Sequence, residues 1–133
     1  MQFFNSKGAA FAATMIALAG AGTAWADVKD YEFQLVQNES KMGDGAVISV
    51  RLVDKRNRNP VADAVIMAKR IDMAPDGMPT MTAPLEQLPS TEPGIYRFKT
   101  NLTMAGGWQL SLGAKVQGET GTVENRLVLK AIE

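Results

Sequence analysis

Apolar and polar residues alternate with a period of two along most of the chain beyond residue 27, which predicts β-strands that bury one face. The predicted strands cover residues 31–35, 48–52, 64–73, 82–88, 95–104, 108–116 and 123–131. Turn-forming residues separate them at intervals of about ten residues, as in antiparallel sandwiches. We therefore predict an all-β fold, an immunoglobulin-like antiparallel β-sandwich of about seven strands.

The fifth and sixth predicted strands carry the same pattern, with apolar residues at the even positions of both. If they form a hairpin, paired residues must share a face. This condition selects a three-residue loop that contains glycine. The expected cross-strand pairs are Met104 with Trp108, Leu102 with Leu110, and Phe98 with Ala114.

The first 26 residues have the pattern of a secretory signal peptide. Lys7 precedes an apolar, alanine-rich run, and Ala24-Trp25-Ala26 fits a cleavage site. We therefore divide the chain into a signal peptide, residues 1–26, and one domain, residues 27–133. An uncleaved inner-membrane anchor is the alternative; the remainder has no apolar stretch long enough to span a membrane.

Composition narrows the function classes. Fourteen basic and 14 acidic residues leave no net charge, so no basic patch predicts a nucleic-acid partner. The chain has neither Cys nor His, which removes disulfides, thiolate or imidazole metal sites, and the usual nucleophile–base pairs of enzymes. We predict a periplasmic protein that is not an enzyme, because export without disulfides suits a bacterial periplasm.

The most unusual stretch is Met67–Pro84, which contains four of the eight methionines of the chain. Pro and Gly residues after Met73 predict a long, turn-rich loop carrying Met78 and Met81. Thioether sulfur is a soft, neutral ligand that prefers Cu(I) or Ag(I) to Zn(II) or Cu(II). Met73, Met78 and Met81 are therefore candidate ligands, and an apolar docking surface is an equally open interpretation.

Three further residues relate to this loop. If residues 82–88 form a strand, Met104 lies at the same end of the sandwich as Met73 and is a candidate fourth ligand. Trp108 would then sit exposed beside the site and shield the ion. Met67 is in phase with Ile71, which predicts a core position for it close to the site.

Several motifs resemble one family. A strand ends in a Met-Pro-rich loop, Pro93-Gly94-Ile95-Tyr96 opens the next strand, and the pattern Leu102-x-Met104-x-Gly106-x-Trp108-x-Leu110 follows. Together they resemble the YtkA-like and FixH-type domains over roughly residues 45–130. The resemblance implies a small exported β-sandwich linked to copper handling, heavy-metal efflux or the assembly of copper oxidases.

Two functions are expected from these residues together with the roles that the resemblance implies. The first is a periplasmic accessory protein that binds Cu(I) or Ag(I) through Met73, Met78, Met81 and Met104, in metal efflux or copper-oxidase assembly. The second is a metal-free interaction module that docks on an efflux adaptor or oxidase subunit through the same apolar loop. The missing His argues against Cu(II) in either case.

Overall fold

The computed structural model describes residues 28–133, so the predicted signal peptide lies outside the described residues. Two single 3-10 turns, Val28–Asp30 and Ala74–Asp76, are the helices of this part, and neither is long enough to cross a membrane. The strands are β1 (Tyr31–Leu35), β2 (Glu39–Lys41), β3 (Gly43–Asp54), β4 (Asn59–Pro60), β5 (Val65–Met73), β6 (Met78–Ala83), β7 (Leu85–Leu88), β8 (Ile95–Leu102), β9 (Gly106–Lys115) and β10 (Val123–Ile132).

The strands form two sheets that pack face to face. Sheet 1 has the order β2-β10-β9-β5-β6, and sheet 2 has the order β1-β3-β8-β7 with β4 beside the end of β3. Neighbouring strands are antiparallel, except that β2 runs parallel to β10. The predicted immunoglobulin-like β-sandwich is confirmed.

The strands are more numerous than predicted and their bounds differ; β3, for example, has 12 residues where the pattern predicts residues 48–52. The expected strand at residues 82–88 is divided at Pro84, with β6 before it in sheet 1 and β7 after it in sheet 2. Proline has no N–H to give to a ladder, so it suits a point where the chain leaves one sheet for the other. Glu39–Lys41, expected to be part of a turn, forms the edge strand β2.

The core lies between the sheets and is filled by the alternating residues that the sequence pattern assigns to it. Phe33 from β1 and Tyr96 from β8 meet edge to face, with ring centroids 6.2 Å apart. The Tyr96 hydroxyl donates to the Val61 carbonyl at 2.7 Å and accepts from the Ala64 amide at 3.1 Å. One buried aromatic residue thus also holds the segment that leads into β5.

The predicted hairpin between β8 and β9 is wrong. β8 pairs with β3 and β7 in sheet 2, whereas β9 pairs with β5 and β10 in sheet 1. Phe98, Leu102, Leu110 and Ala114 are all fully buried, but they belong to opposite sheets. The rule that paired residues share a face cannot separate two neighbouring strands from two strands that face each other across a core.

The expected core position of Met67 is also wrong, since its side chain is 64% exposed. The cause is a β-bulge in β5. Ile66 lies opposite Ala114 and Ala68 lies opposite Gly113, so Met67 is an extra residue in this strand. A bulge shifts the alternation by one, and the phase set by Ile71 no longer applies before it.

The first part of β5 is an open edge of sheet 1. β6 pairs with β5 only from Ile71 onward, so among residues 28–133 the segment Val65–Arg70 has a neighbouring strand on one side alone. Lys69 lies in this segment, opposite the buried Leu112. Alternation from Ile71 predicts that Lys69 faces the core, but the residue is exposed to solvent.

An ion pair holds the loop after β3. Asp54 is nearly buried, and its two carboxylate oxygens accept from the Arg56 guanidinium at 3.0 and 2.7 Å. Its Oδ1 atom also accepts from the Arg56 amide at 3.0 Å. These hydrogen bonds to Arg56 lower the pKa of Asp54 and outweigh the opposing effect of burial.

We predict a pH-dependent loss of stability for Asp54→Asn. A lowered pKa in the folded state favours folding above the ordinary Asp pKa of about 4, and this contribution disappears as pH falls through the lowered value. The variant should therefore melt below the parent at pH 7, and the gap should close below about pH 4. Thermal unfolding followed by circular dichroism at several pH values measures this gap. Asp44→Asn, at an exposed acid of β3, is the control; a constant gap at all pH values would contradict the prediction.

Candidate functional site

The methionine stretch forms a tight hairpin between β5 and β6 instead of the predicted long loop. Met73 ends β5, one 3-10 turn covers Ala74–Asp76, and Met78 begins β6 directly opposite Met73. Gly77 is left-handed, with φ of 76°, and donates to the Ala74 carbonyl at 2.9 Å. The sequence Pro75-Asp76-Gly77 is a known turn signature, and this signal predicts the hairpin when it is read alone.

A large bulge in β6 begins directly after Met78 and contains Met81. Met78 lies opposite Met73, and Thr82 lies opposite Asp72, the preceding residue of β5. Residues 79–81 therefore have no partner in β5 and fold out between two adjacent pairs. Met78 and Met81 are both half-buried and pack against the core cluster. Bulges of this kind often re-aim side chains beside functional sites.

Charged groups hold the two strands at this bulge. The Arg70 guanidinium donates to Asp72 Oδ2 at 2.8 Å and to the Pro79 carbonyl at 2.7 Å. Asp72 is buried, and its Oδ1 atom accepts from the Ala74 amide at 2.9 Å. Arg70 and Asp72 thus connect β5, the turn and the bulge, and Asp72 has a structural role.

The turn also packs against the start of β9. Asp76 Oδ2 accepts from the Gly107 amide at 3.1 Å. Gly106 has φ of 135°, and a Cβ atom there would collide with the Asp76 carboxylate and lie 3.2 Å from the Met73 methyl carbon. The turn can approach β9 this closely because both residues that it meets are glycines.

Trp108 joins the next connection to the same end of the sandwich. Its side chain is fully buried, and its indole N–H donates to the Met104 carbonyl at 3.0 Å. Gln109 of β9 pairs with Asp72 of β5. Trp108 precedes Gln109 and Met73 follows Asp72, so in this antiparallel pair both lie on the same side of the Gln109–Asp72 pair, toward the turn. Met104 therefore lies at the end of the sandwich that carries the turn, as expected, but Trp108 is not an exposed shield.

The candidate ligands differ in how accessible they are. Met73 has no exposed surface, Met78 and Met81 are half-buried, and Met104 is 39% exposed. Met67 lies six residues before Met73, about 20 Å along an extended strand, and does not join them. Met78, Met81 and Met104 are thus the candidates that a solvent ion can reach in this conformation.

Met42 is a further exposed methionine at this end of the sandwich. This residue is 37% exposed and is the single residue between β2 in sheet 1 and β3 in sheet 2. Gly43, which follows it, lies opposite Leu102 at the end of β8. Met42 is therefore at the same end of the sandwich as Met104. The residues around Met42 in the sequence are polar and turn-like, so no pattern in the sequence predicts a role for it.

Oxygen and nitrogen ligands are not grouped at this end. Within residues 28–133, no cluster of three or more His, Cys, Asp or Glu side chains is placed to hold a metal ion. Asp76 has its hydrogen bond to Gly107, and Asp72 is enclosed by Arg70 and Ala74. The thioether sulfurs remain the candidate donors at this end of the described residues.

A hollow of about 830 Å³ lies along sheet 1 and reaches the β5–β6 hairpin, where Asp72, Ala74 and Pro79 line it. Ser111 forms part of its floor, between Arg70 on β5 and Arg126 on β10. The Arg70 guanidinium is already engaged with Asp72 and Pro79. The hollow is a shallow, open part of the sheet surface, and we do not assign it a ligand.

Comparison with known proteins identifies the family. The family described as YtkA-like matches residues 26–113, which is more than half of the chain. The chain belongs to the YtkA-like family. The match covers the domain from its start through most of β9, so it includes the β5–β6 hairpin and the connection that carries Met104. No curated protein matches this YtkA-like chain in sequence.

Two solved structures are similar to this YtkA-like domain. The filamin domain of Lin-41 has a TM-score of 0.47 and 18% identity, and the alignment covers 77% of this chain and 92% of that one. The C-terminal domain of ZirS has a TM-score of 0.45 and 12% identity, over 100% of this chain and 88% of that one. The strand order of the two sheets shows the β-sandwich independently of these similarities.

We predict that Gly106→Ala loosens the turn from β9. The added methyl group would displace Asp76 from the Gly107 amide and require a left-handed conformation from a residue with a side chain. The expected loss is about 1–3 kcal/mol of unfolding free energy, measured by urea denaturation. Gly113→Ala, on the same strand, is the control because its nearest neighbour would be 3.4 Å away. Equal effects of the two substitutions would contradict this prediction.

Proposed function

We propose that this YtkA-like domain binds Cu(I) or Ag(I) through thioether sulfurs of the β5–β6 hairpin, as a periplasmic accessory protein in metal efflux or copper-oxidase assembly. The observation that carries the proposal is that Met78 and Met81, at the bulge of the edge strand β6, are both half-buried and both pack against the core. Two soft donors on an accessible edge suit an ion that must be taken up and released.

The donor chemistry supports a monovalent, soft ion. Thioethers are neutral, so they do not offset the charge of a divalent cation, and a closed-shell Cu(I) or Ag(I) ion accepts a small number of them. Within the described residues, no grouped carboxylates compete for the ion. The connection that carries Met104 lies at the same end, so its thioether is a candidate donor outside the hairpin.

Met73 fits a ligand role less well than the other candidates. Its side chain is fully enclosed, and its methyl carbon lies against Gly106. We therefore assign it to the packing beneath the hairpin, where it orients Met78 from the opposite strand. Metal binding at the hairpin would rest on Met78 and Met81, and Trp108 would act only by holding the Met104 backbone.

The test is the double substitution Met78→Leu plus Met81→Leu. Leucine keeps most of the apolar volume, so the free energy of unfolding should change by less than about 1.5 kcal/mol. Without the two sulfurs, Cu(I) affinity measured by competition with a chromogenic Cu(I) chelator should fall at least tenfold. Met67→Leu removes an exposed methionine far from the site and should leave the affinity unchanged. The site assignment fails if the double variant binds Cu(I) as tightly as the parent.

A metal-free docking role for the same surface is the second candidate. Half-buried methionines on an edge strand offer an adaptable apolar surface for a partner such as an efflux adaptor or an oxidase subunit. Binding of a purified candidate partner that is equally strong with and without a Cu(I) chelator would support docking. Binding that needs Cu(I) would support the metal-dependent role.

A further inference from the structure

Two exposed methionines mark the points where the chain crosses between the sheets at one end of the sandwich. Met42 lies between β2 and β3, and Met104 lies in the three-residue connection between β8 and β9. The two crossings are neighbours, because Gly43 and Leu102 form a cross-strand pair. Paired residues of an antiparallel ladder have Cα atoms about 5 Å apart, which leaves two flexible methionine side chains within reach of each other.

Hydrogen bonds fix the backbone of both residues while their side chains remain in solvent. The Met42 amide donates to the Ile132 carbonyl at 2.7 Å, and the Met104 carbonyl accepts from the Trp108 indole at 3.0 Å. The side chains are 37% and 39% exposed. A pair of donors on fixed backbone loses less conformational freedom when it closes on an ion than donors on a mobile loop.

We propose that Met42 and Met104 form a second, surface site for a soft monovalent ion, Cu(I) or Ag(I), held between two thioethers. The identity of the ion rests on the proposed function, but the site itself is separate from Met78 and Met81. Both residues are more exposed than the hairpin methionines. This position suits the exchange of the ion with another protein, since a two-sulfur site on the surface leaves room for an incoming ligand.

The side-chain methyl signals of the methionines test this proposal in one experiment. We would label the methyl groups with carbon-13, titrate the purified protein with Ag(I), and follow each methionine by NMR. The signals of Met42 and Met104 should shift together with one affinity. Those of Met78 and Met81 should shift with an affinity of their own. Met67 is the internal control, because it is exposed and far from both sites.

Two variants separate this proposal from the proposed function. In Met42→Leu, the Ag(I) affinity reported by Met104 should fall at least tenfold, while Met78 and Met81 respond as before. In the Met78→Leu plus Met81→Leu variant, Met42 and Met104 should still respond. Shifts at Met78 and Met81 without a shift at Met42 would overturn the surface site and leave the proposed function standing.

Three other results also decide the question. A response of Met42 and Met104 alone would support the surface site and remove the hairpin site. A response of Met67 at the same Ag(I) concentration as Met42 would overturn the surface site, because it would show binding to any exposed thioether. If Met42→Leu leaves the response of Met104 unchanged, the two residues do not share an ion and the proposal fails.

Discussion

The contact between the β5–β6 turn and the start of β9 determines the shape of the methionine-bearing end. The Asp76 carboxylate accepts a hydrogen bond from the Gly107 amide, and the Met73 side chain fills the space beside Gly106. The same strand then places Trp108 in the core, where its indole holds the Met104 carbonyl. Because these contacts follow one another along a few residues of β9, the hairpin and the β8–β9 connection are fixed as one unit.

Burial decides which methionines are structural and which are available for binding. Met73 is fully buried in the core beneath the turn, whereas Met78 and Met81 lie on β6, the edge strand of sheet 1. The bulge between them depends on Arg70, which bonds to Asp72 and to the Pro79 carbonyl. Charged and backbone groups thus determine the geometry of a site whose proposed donors are uncharged sulfurs.

Much of the sandwich could be predicted from alternation, because residues such as Phe33 and Val50 bury one face of a strand. The alternation of apolar and polar residues does not show which strands are neighbours, so it wrongly predicts that β8 pairs with β9. It also fails where an extra residue enters a strand, as Met67 does in β5. The candidate site was only partly predictable. Met42 lies near Met104 because the chain crosses between the sheets at this residue, and no local sequence pattern predicts such a crossing.

The open edge of β5 has a consequence for how copies of this protein meet. An unpaired strand edge is a template onto which another chain can add a strand, and this is a common route to aggregation. The bulge at Met67 interrupts the regular spacing of the free backbone groups, and the exposed Lys69 would place a charge against any strand added at this side. Both features disfavour the addition of a strand to this edge of the described domain.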